Sequence, residues 1–298
     1  MAQSNLTEWD QDLTTSPDEE YESLVRAIRW ARGFGLLFVQ CSPAEGEKLI
    51  EQVRQDIPEK VTDLLRLDHE IDDLHEIVAA HPGIQQTNVL FITGLEKSLV
   101  AYIKPGYGSE GSYYAKDIVP KLLGKLNLQR ERFKEDFKLC FVFLVPRFAM
   151  KYLIRRAADF FDWRSGVWEF VSPQAARQQE TQHLLQDNDY NHYLRLTPQQ
   201  RRQRFLTIED LLAEGHPSPE ESSELCREQG RLLNADQDFK SAIIYYDQAL
   251  AINPDYHEAL NNKGTALSAL GQQEAAIACY DQALAINPDD HQALNNKG

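Results

Sequence analysis

Between Tyr246 and Gly298 the chain spells nearly the same segment twice. Tyr246-Asp-Gln-Ala-Leu-Ala-Ile-Asn-Pro254 returns as Tyr280-Asp-Gln-Ala-Leu-Ala-Ile-Asn-Pro288, and the Asp-x-His-x-Ala-Leu-Asn-Asn-Lys-Gly that ends at Gly264 returns ending at Gly298. The offset is 34 residues. A fixed period of that length marks a supersecondary unit that cannot bury its own apolar face, so successive units must stack. Within one period the pattern is helical. Gly271 closes a first helix A, and Pro288 cannot continue the second helix B.

The residues at fixed positions of the unit that starts at His257 are Leu260, Gly264, Leu267, Ala276, Tyr280, Ala283 and Pro288. The unit from Ser223 to Tyr256 repeats the frame with Cys226, Gly230, Leu233, Ala242, Tyr246, Ala249 and Pro254. Small residues at Gly264 and Ala276 let helices A and B approach closely, and Tyr280 fills the gap between units. This pattern over 217–298 resembles the tetratricopeptide repeat (TPR). The resemblance implies a helical solenoid whose concave groove, lined by positions 2, 5, 9 and 12 of helix A, binds a protein or peptide. Those positions hold Glu224, Arg227, Arg231 and Asn234, then Glu258, Asn261, Thr265 and Ser268. Arg227 and Arg231 stand at i,i+4 beside Asn261 and Asn262, similar to a carboxylate clamp without its lysines. The candidate peptide site is therefore Arg227, Arg231, Asn234, Asn261, Asn262 and Thr265.

Gly298 falls at position 8 of a third unit, so the expectation is a truncated array of two complete units and part of another. The short third helix supplies one large apolar residue, Leu294, expected to pack on Leu267, Tyr280 and Leu284. An open terminal face of this kind also predicts self-association.

The chain carries a formal charge of −15, which argues against nucleic acid as a main partner. Its longest apolar runs, such as Leu139 to Val145, are too short to cross a bilayer. Cys41, Cys140, Cys226 and Cys279 form no CxxC pair and no signal peptide precedes them, which predicts reduced thiols in a cytoplasm.

Residues 1–17 are acidic without a basic residue and predict a disordered, solvated tail. From Asp18 onward, helical and strand patterns alternate. An amphipathic helix carries Tyr21, Leu24, Ile28 and Ala31, followed by the buried strand Gly35–Cys41 and a helix from Pro43 to about Gln55. Leu64–Leu67 predicts a second strand, Ile71–Ala80 a helix, Asn88–Thr93 a third strand with a short helix beyond, and 114–137 a long helix. Leu139–Val145, a helix over Arg147–Ala158 and Val167–Val171 complete the series. This alternation predicts an α/β domain over 18–172, a parallel sheet with helices on both faces. Residues 173–216 read as connecting helices.

A βα unit ending in a short loop, a hydrophobic strand ending in acid, and Leu126-Asn-Leu-Gln-Arg-Glu-Arg132 before another strand look like the core of the P-loop NTPases. Ala157 to Phe170 is similar to a segment of STAND-type relatives placed before TPR arrays in bacteria, notably cyanobacteria. The resemblance implies a three-layer P-loop-NTPase-like domain, but the chemistry is degraded. Gly46-Glu-Lys-Leu49 breaks the Gly-Lys-Ser/Thr order, Pro43 removes an N–H, and Glu45 and Glu47 repel phosphate. Gly94 stands where the Walker B aspartate belongs, leaving only Glu96. Gly106-Tyr-Gly-Ser-Glu-Gly111 matches GxGxxG literally, yet no βαβ unit surrounds it, so it reads as a loop.

His69, His75 and His81 lie among acids, but a spacing of six puts successive rings on opposite sides of a helix, which predicts a solvated face rather than a metal site. Residues 116–164 carry a net +6. This stretch reads as a solvated face or as a dock for an acidic surface, such as the chain's own tail or repeats. The sequence thus calls for a non-enzymatic adaptor with an inactive α/β domain, no cofactor and no metal. The rival reading is a STAND-type switch that still holds ATP or GTP.

Overall fold

The computed structural model describes residues 16–100, 102, 119–171, 174–186, 190–215 and 217–298. The acidic segment up to residue 15 and the Gly106–Gly111 run lie outside these residues.

Helix α1 (Pro17–Trp30) opens one residue before the expected boundary, because Ser16 and Glu19 form a reciprocal capping box and Pro17 suits the first turn. Strand β1 (Gly35–Gln40) leads through Ser42 into α2 (Pro43–Asp56). Then come β2 (Thr62–Arg66), α3 (Leu74–Ala79), β3 (Val89–Thr93) and α4 (Lys97–Val100). Next are α5 (Lys121–Asp136), β4 (Cys140–Val145), α6 (Arg147–Arg156), α7 (Ala158–Phe161) and β5 (Gly166–Glu169). Among the described residues the strands form one five-stranded sheet in the order β2-β3-β4-β1-β5. Every pairing is parallel.

Alternation along each strand divides the core. Leu37 and Val39 of β1, with Phe91 and Val142, pack under α1 and α2 through Leu24, Ile28, Leu49 and Val53. Leu36 and Phe38, with Ile92, Phe141 and Phe143, face α3, α5, α6 and α7 through Val78, Phe133, Leu153 and Phe160. Both faces are covered, as continuous apolar strands require. The same second core continues through Tyr193, Phe205 and Ile208 to Leu225, Leu232 and Tyr246. It therefore passes from the sheet through the connecting helices α8 (Gln174–Gln186), α9 (Tyr190–Arg195) and α10 (Pro198–Gly215) into the first repeat.

The histidines differ from expectation. His75 is buried at 3% exposure between Phe133 and Phe137 and bonds Asp136 across the layer, while His81 bonds Asp63. His75 and His81 thus do not form a solvated face, whereas His69 is exposed. No group of three metal-ligating side chains occurs among the described residues. In the basic stretch, Lys121 and Lys125 pair with Asp72 and Asp73 of the loop before α3, not with the repeats.

The repeats follow as α11 (Pro219–Ala235), α12 (Phe239–Ile252), α13 (His257–Ala269), α14 (Gln273–Ile286) and α15 (His291–Lys297). Ser218 caps the first with Glu221 in a second capping box. A Cβ at Gly230 would stand 2.4 Å from the Tyr246 ring, and one at Gly264 would stand 2.5 Å from Tyr280. The two glycines thus set how close helix A comes to helix B. In α15 the buried residue is Ala293, against Leu260 and Ala283, whereas Leu294 is 49% exposed and does not make the expected packing contact.

Gly264→Ala should lower stability by about 1–3 kcal/mol, since the buried Tyr280 ring has no room to retreat. Gly124→Ala in α5, where nothing lies within 4 Å of the new Cβ, should raise it by about 0.5–1 kcal/mol through helix propensity. Urea unfolding of the two variants checks the opposite signs.

Candidate functional site

Helix A of the first repeat presents its polar side chains around one carboxylate. Glu228 is 1% exposed, and its Oε1 accepts from Arg227 Nη2 at 3.0 Å and from Arg231 Nη1 at 2.9 Å. Its Oε2 accepts from the hydroxyl of Tyr193 on α9. Three donors on one buried carboxylate offset the desolvation that an isolated charge would suffer. The guanidinium of Arg227 lies over Tyr256 at 5.2 Å, and that of Arg231 lies over Tyr193 at 5.1 Å. Burial, with the Glu228 carboxylate beside it, pushes the Tyr193 phenol well above its ordinary range, so it remains a donor at any physiological pH.

The other candidates fall into place around this cluster. Asn234 Nδ2 donates to the Tyr190 hydroxyl at 3.0 Å, while its Oδ1 is buried without a partner. Asn261 is buried at 3%, and its Oδ1 accepts from Asn296 Nδ2 at 3.1 Å. Thr265 is exposed and lies within 3.4 Å of the same amide. Asn262 is half-buried on α13. The structure therefore gathers Arg227, Arg231 and Asn234 with α9, and Asn261 and Thr265 with α15. The two arginines are not free cations. With Glu228 between them the trio keeps one net positive charge.

Glu228 and Tyr193 are members of the cluster that the groove positions alone do not reveal. Their pairing repeats the contact between Asn261 and Asn296, at the same separation of 35 residues and the same repeat positions. Arg201 on α10 also reaches Asp236 across 35 residues. Helices α9 and α10 thus occupy the place of a preceding repeat. The signal was present in the sequence, because Tyr193 lies 34 residues before Arg227.

The second site is a cavity of about 390 Å³ at the carboxyl ends of β1–β4, walled on one side by Gln203 of α10. It adjoins the start of α2, where a phosphate loop would act. Pro43 has no N–H, the N–H of Glu45 goes to Ser42 Oγ, and that of Gly46 goes to the Ser42 carbonyl. A Cβ on Gly46 would meet Cys41 Sγ and Leu144 at 3.3 Å, so this glycine serves strand–helix packing. Glu47 binds Arg66 at 2.5 Å, and Lys48 pairs with Glu45 outside the cavity lining. These groups do not fit a nucleotide triphosphate. Away from the cavity, burial pushes the Cys140 thiol up to about 12 and the Cys226 thiol up to about 11, which keeps both protonated.

With this geometry established, the chain was compared with known proteins. Tetratricopeptide repeat profiles match residues 257–290 and residues 224–256. Residues 224–290 are tetratricopeptide repeats. No curated protein sequence matches the chain. Among solved structures the chain is similar to the first TPR of Spaghetti (RPAP3) bound to the HSP90 peptide SRMEEVD, at 16% identity and a TM-score of 0.33, covering 43% of this chain and 90% of that one. It is similar to the second TPR domain of human RPAP3 in complex with the HSP70 peptide SGPTIEEVD, at 17% identity and a TM-score of 0.32, over 42% and 92%. A third likeness is to the crystal structure of MamA, at 17% identity and a TM-score of 0.30, over 48% and 78%. No described helix is long and apolar enough to cross a membrane.

Glu228→Ala should destabilise the chain by about 3–5 kcal/mol, because it leaves two buried guanidinium groups without their counter-ion. Chemical denaturation measures it. A change below about 0.5 kcal/mol, the size expected of a surface substitution, would mean that the cluster does not anchor the first repeat.

Proposed function

We propose that this chain is a non-enzymatic adaptor. Its TPR helices α11, α13 and α15 hold a protein or peptide segment along their concave side. The single observation that carries the reading is the polar ladder on successive A helices, from Arg227, Arg231 and Asn234 through Asn261 and Thr265 to Asn296. Its rungs are held by hydrogen bonds, of which Tyr193–Glu228 and Asn261–Asn296 share one repeat register. A pre-ordered row of donors and acceptors lowers the entropy lost when an extended segment binds. The positive charge left on the Arg227–Glu228–Arg231 trio favours a segment with an acidic group at that point, and Glu224 and Glu258 beside Arg227 weaken that preference.

The α/β part we read as an inactive relative of the P-loop NTPases of STAND type. The sheet order, with β4 inserted between β1 and β3, and the cavity at the carboxyl ends of the strands support that kinship. This is also the observation that favours the rival switch reading, since ligands of open α/β sheets bind at that edge. The occupied N–H groups of α2 and the acids Glu45 and Glu47 weigh against a bound triphosphate. An adaptor of this design needs no turnover.

A photo-crosslinking residue placed at Thr265 in the full chain should capture a bound partner, while one at the exposed Glu274 of α14 should not. A peptide with an acidic, free carboxyl terminus should compete better than its amidated form. Equal capture at both positions would overturn the concave assignment.

A further inference from the structure

The cavity at the carboxyl ends of β1–β4 is unused by the adaptor reading, and its charges indicate what would fit it. Two of its basic groups already have partners. Arg66 is held by Glu47 at 2.5 Å, and Lys97 stands 3.7 Å from Asp68. Glu96 is different. It lines the same cavity, is 8% exposed, and forms no ion pair with any described side chain, its own backbone N–H and the more distant charge of Lys97 compensating its burial only in part. Its carboxyl sits just past β3, where the loop at Gly94 turns through a positive φ of 82° directly against the Leu67 carbonyl.

The remaining walls narrow the class of ligand. Leu67, Leu144, Pro43 and Pro146 are aliphatic, Ser42 and Thr93 carry hydroxyls, and no aromatic ring lines the space. Without a ring there is nothing on which a nucleobase would stack and no face for a quaternary ammonium. The volume of about 390 Å³ lies at the small end of ligand sites, which run from about 300 to 1,000 Å³. A divalent metal would want several oxygen or nitrogen ligands, and no group of three occurs among the described residues.

We propose that this cavity binds a small primary aliphatic amine in its protonated form, with Glu96 as the counter-ion and Leu67, Leu144 and Pro146 against the hydrocarbon. The ammonium supplies three donors, enough for the carboxylate and for hydroxyl oxygens nearby. Burial raises the Glu96 carboxyl above its ordinary range, the direction expected of a carboxylate with too little compensation. A cation beside it favours the ionised form. Amine binding should therefore release protons at acid pH, and affinity should fall as the pH drops through the raised range of the free carboxyl. The inference stands apart from what the TPR groove holds, because it uses none of the same residues. It does place the ligand against Gln203 of α10, the helix whose Arg201 reaches the first repeat at Asp236.

Calorimetry on the full chain tests it with n-butylamine and 1,4-diaminobutane as probes and inorganic phosphate as the anion control. The amines should bind saturably and phosphate should not. Glu96→Gln, a near-isosteric change that removes a buried unpaired charge, should melt no lower than the parent and should weaken amine binding roughly ten- to a hundredfold. Gln203→Trp, which fills the cavity from the α10 side without touching Glu96, should also abolish it. Proton release, read by repeating the wild-type titration in buffers of different ionisation enthalpy, needs no variant. Absence of saturable amine binding, binding without proton release at acid pH, undiminished affinity in Glu96→Gln, or preference for phosphate would each overturn the proposal.

Discussion

Glu228 brings a negative charge into a place almost closed to water, and it stays there because Arg227, Arg231 and Tyr193 all reach it. Two of those donors belong to its own helix and the third to α9, so the carboxylate fixes the first repeat to the helices before it. Arg201 does the same one helix later through Asp236 at 2.6 Å. Between these polar ties runs the apolar core that joins the sheet to Tyr246. A TPR array must end somewhere without exposing its apolar side, and here α9 and α10 cover that side in the position of a missing unit. The groove therefore begins at a fixed wall of aromatic rings and two guanidinium groups that share one carboxylate.

How much of this could be read from the residues depends on the range of the interaction. The repeats were legible because identical spacing produces identical local packing, and the contact of Tyr280 with Gly264 is one that a period of 34 residues makes visible. The three central strands β1, β3 and β4 were legible as apolar runs, since a doubly covered strand leaves no alternative to burial, while the edge strands β2 and β5 bury one residue each and show only short apolar stretches. Their order was not, because an apolar run does not name its neighbours. Helix starts slipped where a side chain from elsewhere intervened. Helix α3 begins at Leu74 rather than Ile71, because Asp73 caps it and the Ile71 N–H turns to Ser98 Oγ of a distant segment. His75 reads as an exposed member of an acidic run, yet its partner Asp136 lies 61 residues away. The candidate arginines show the same limit. Their i,i+4 spacing was visible, while the burial that drives both onto Glu228 was set by Tyr193 and Tyr256.

The N-terminal sheet and the repeats carry different kinds of chemistry. The sheet presents the edge at which open α/β folds hold ligands, and several residues there have structural partners. Gly46 packs against Leu144, Ser42 caps α2 and Glu47 neutralises Arg66. Each of these groups is engaged in the packing or charge balance of the fold. What remains is an α/β scaffold continuous with the repeats, which suits a part that positions a groove rather than one that turns over a substrate.

The most direct test of that account is titration of the full chain with ATP and Mg²⁺ at physiological ionic strength, followed by calorimetry. The account predicts no saturable heat and no release of phosphate. Micromolar affinity that disappears in Lys48→Ala would contradict it, because Lys48 would then be serving a phosphate rather than its present partner Glu45.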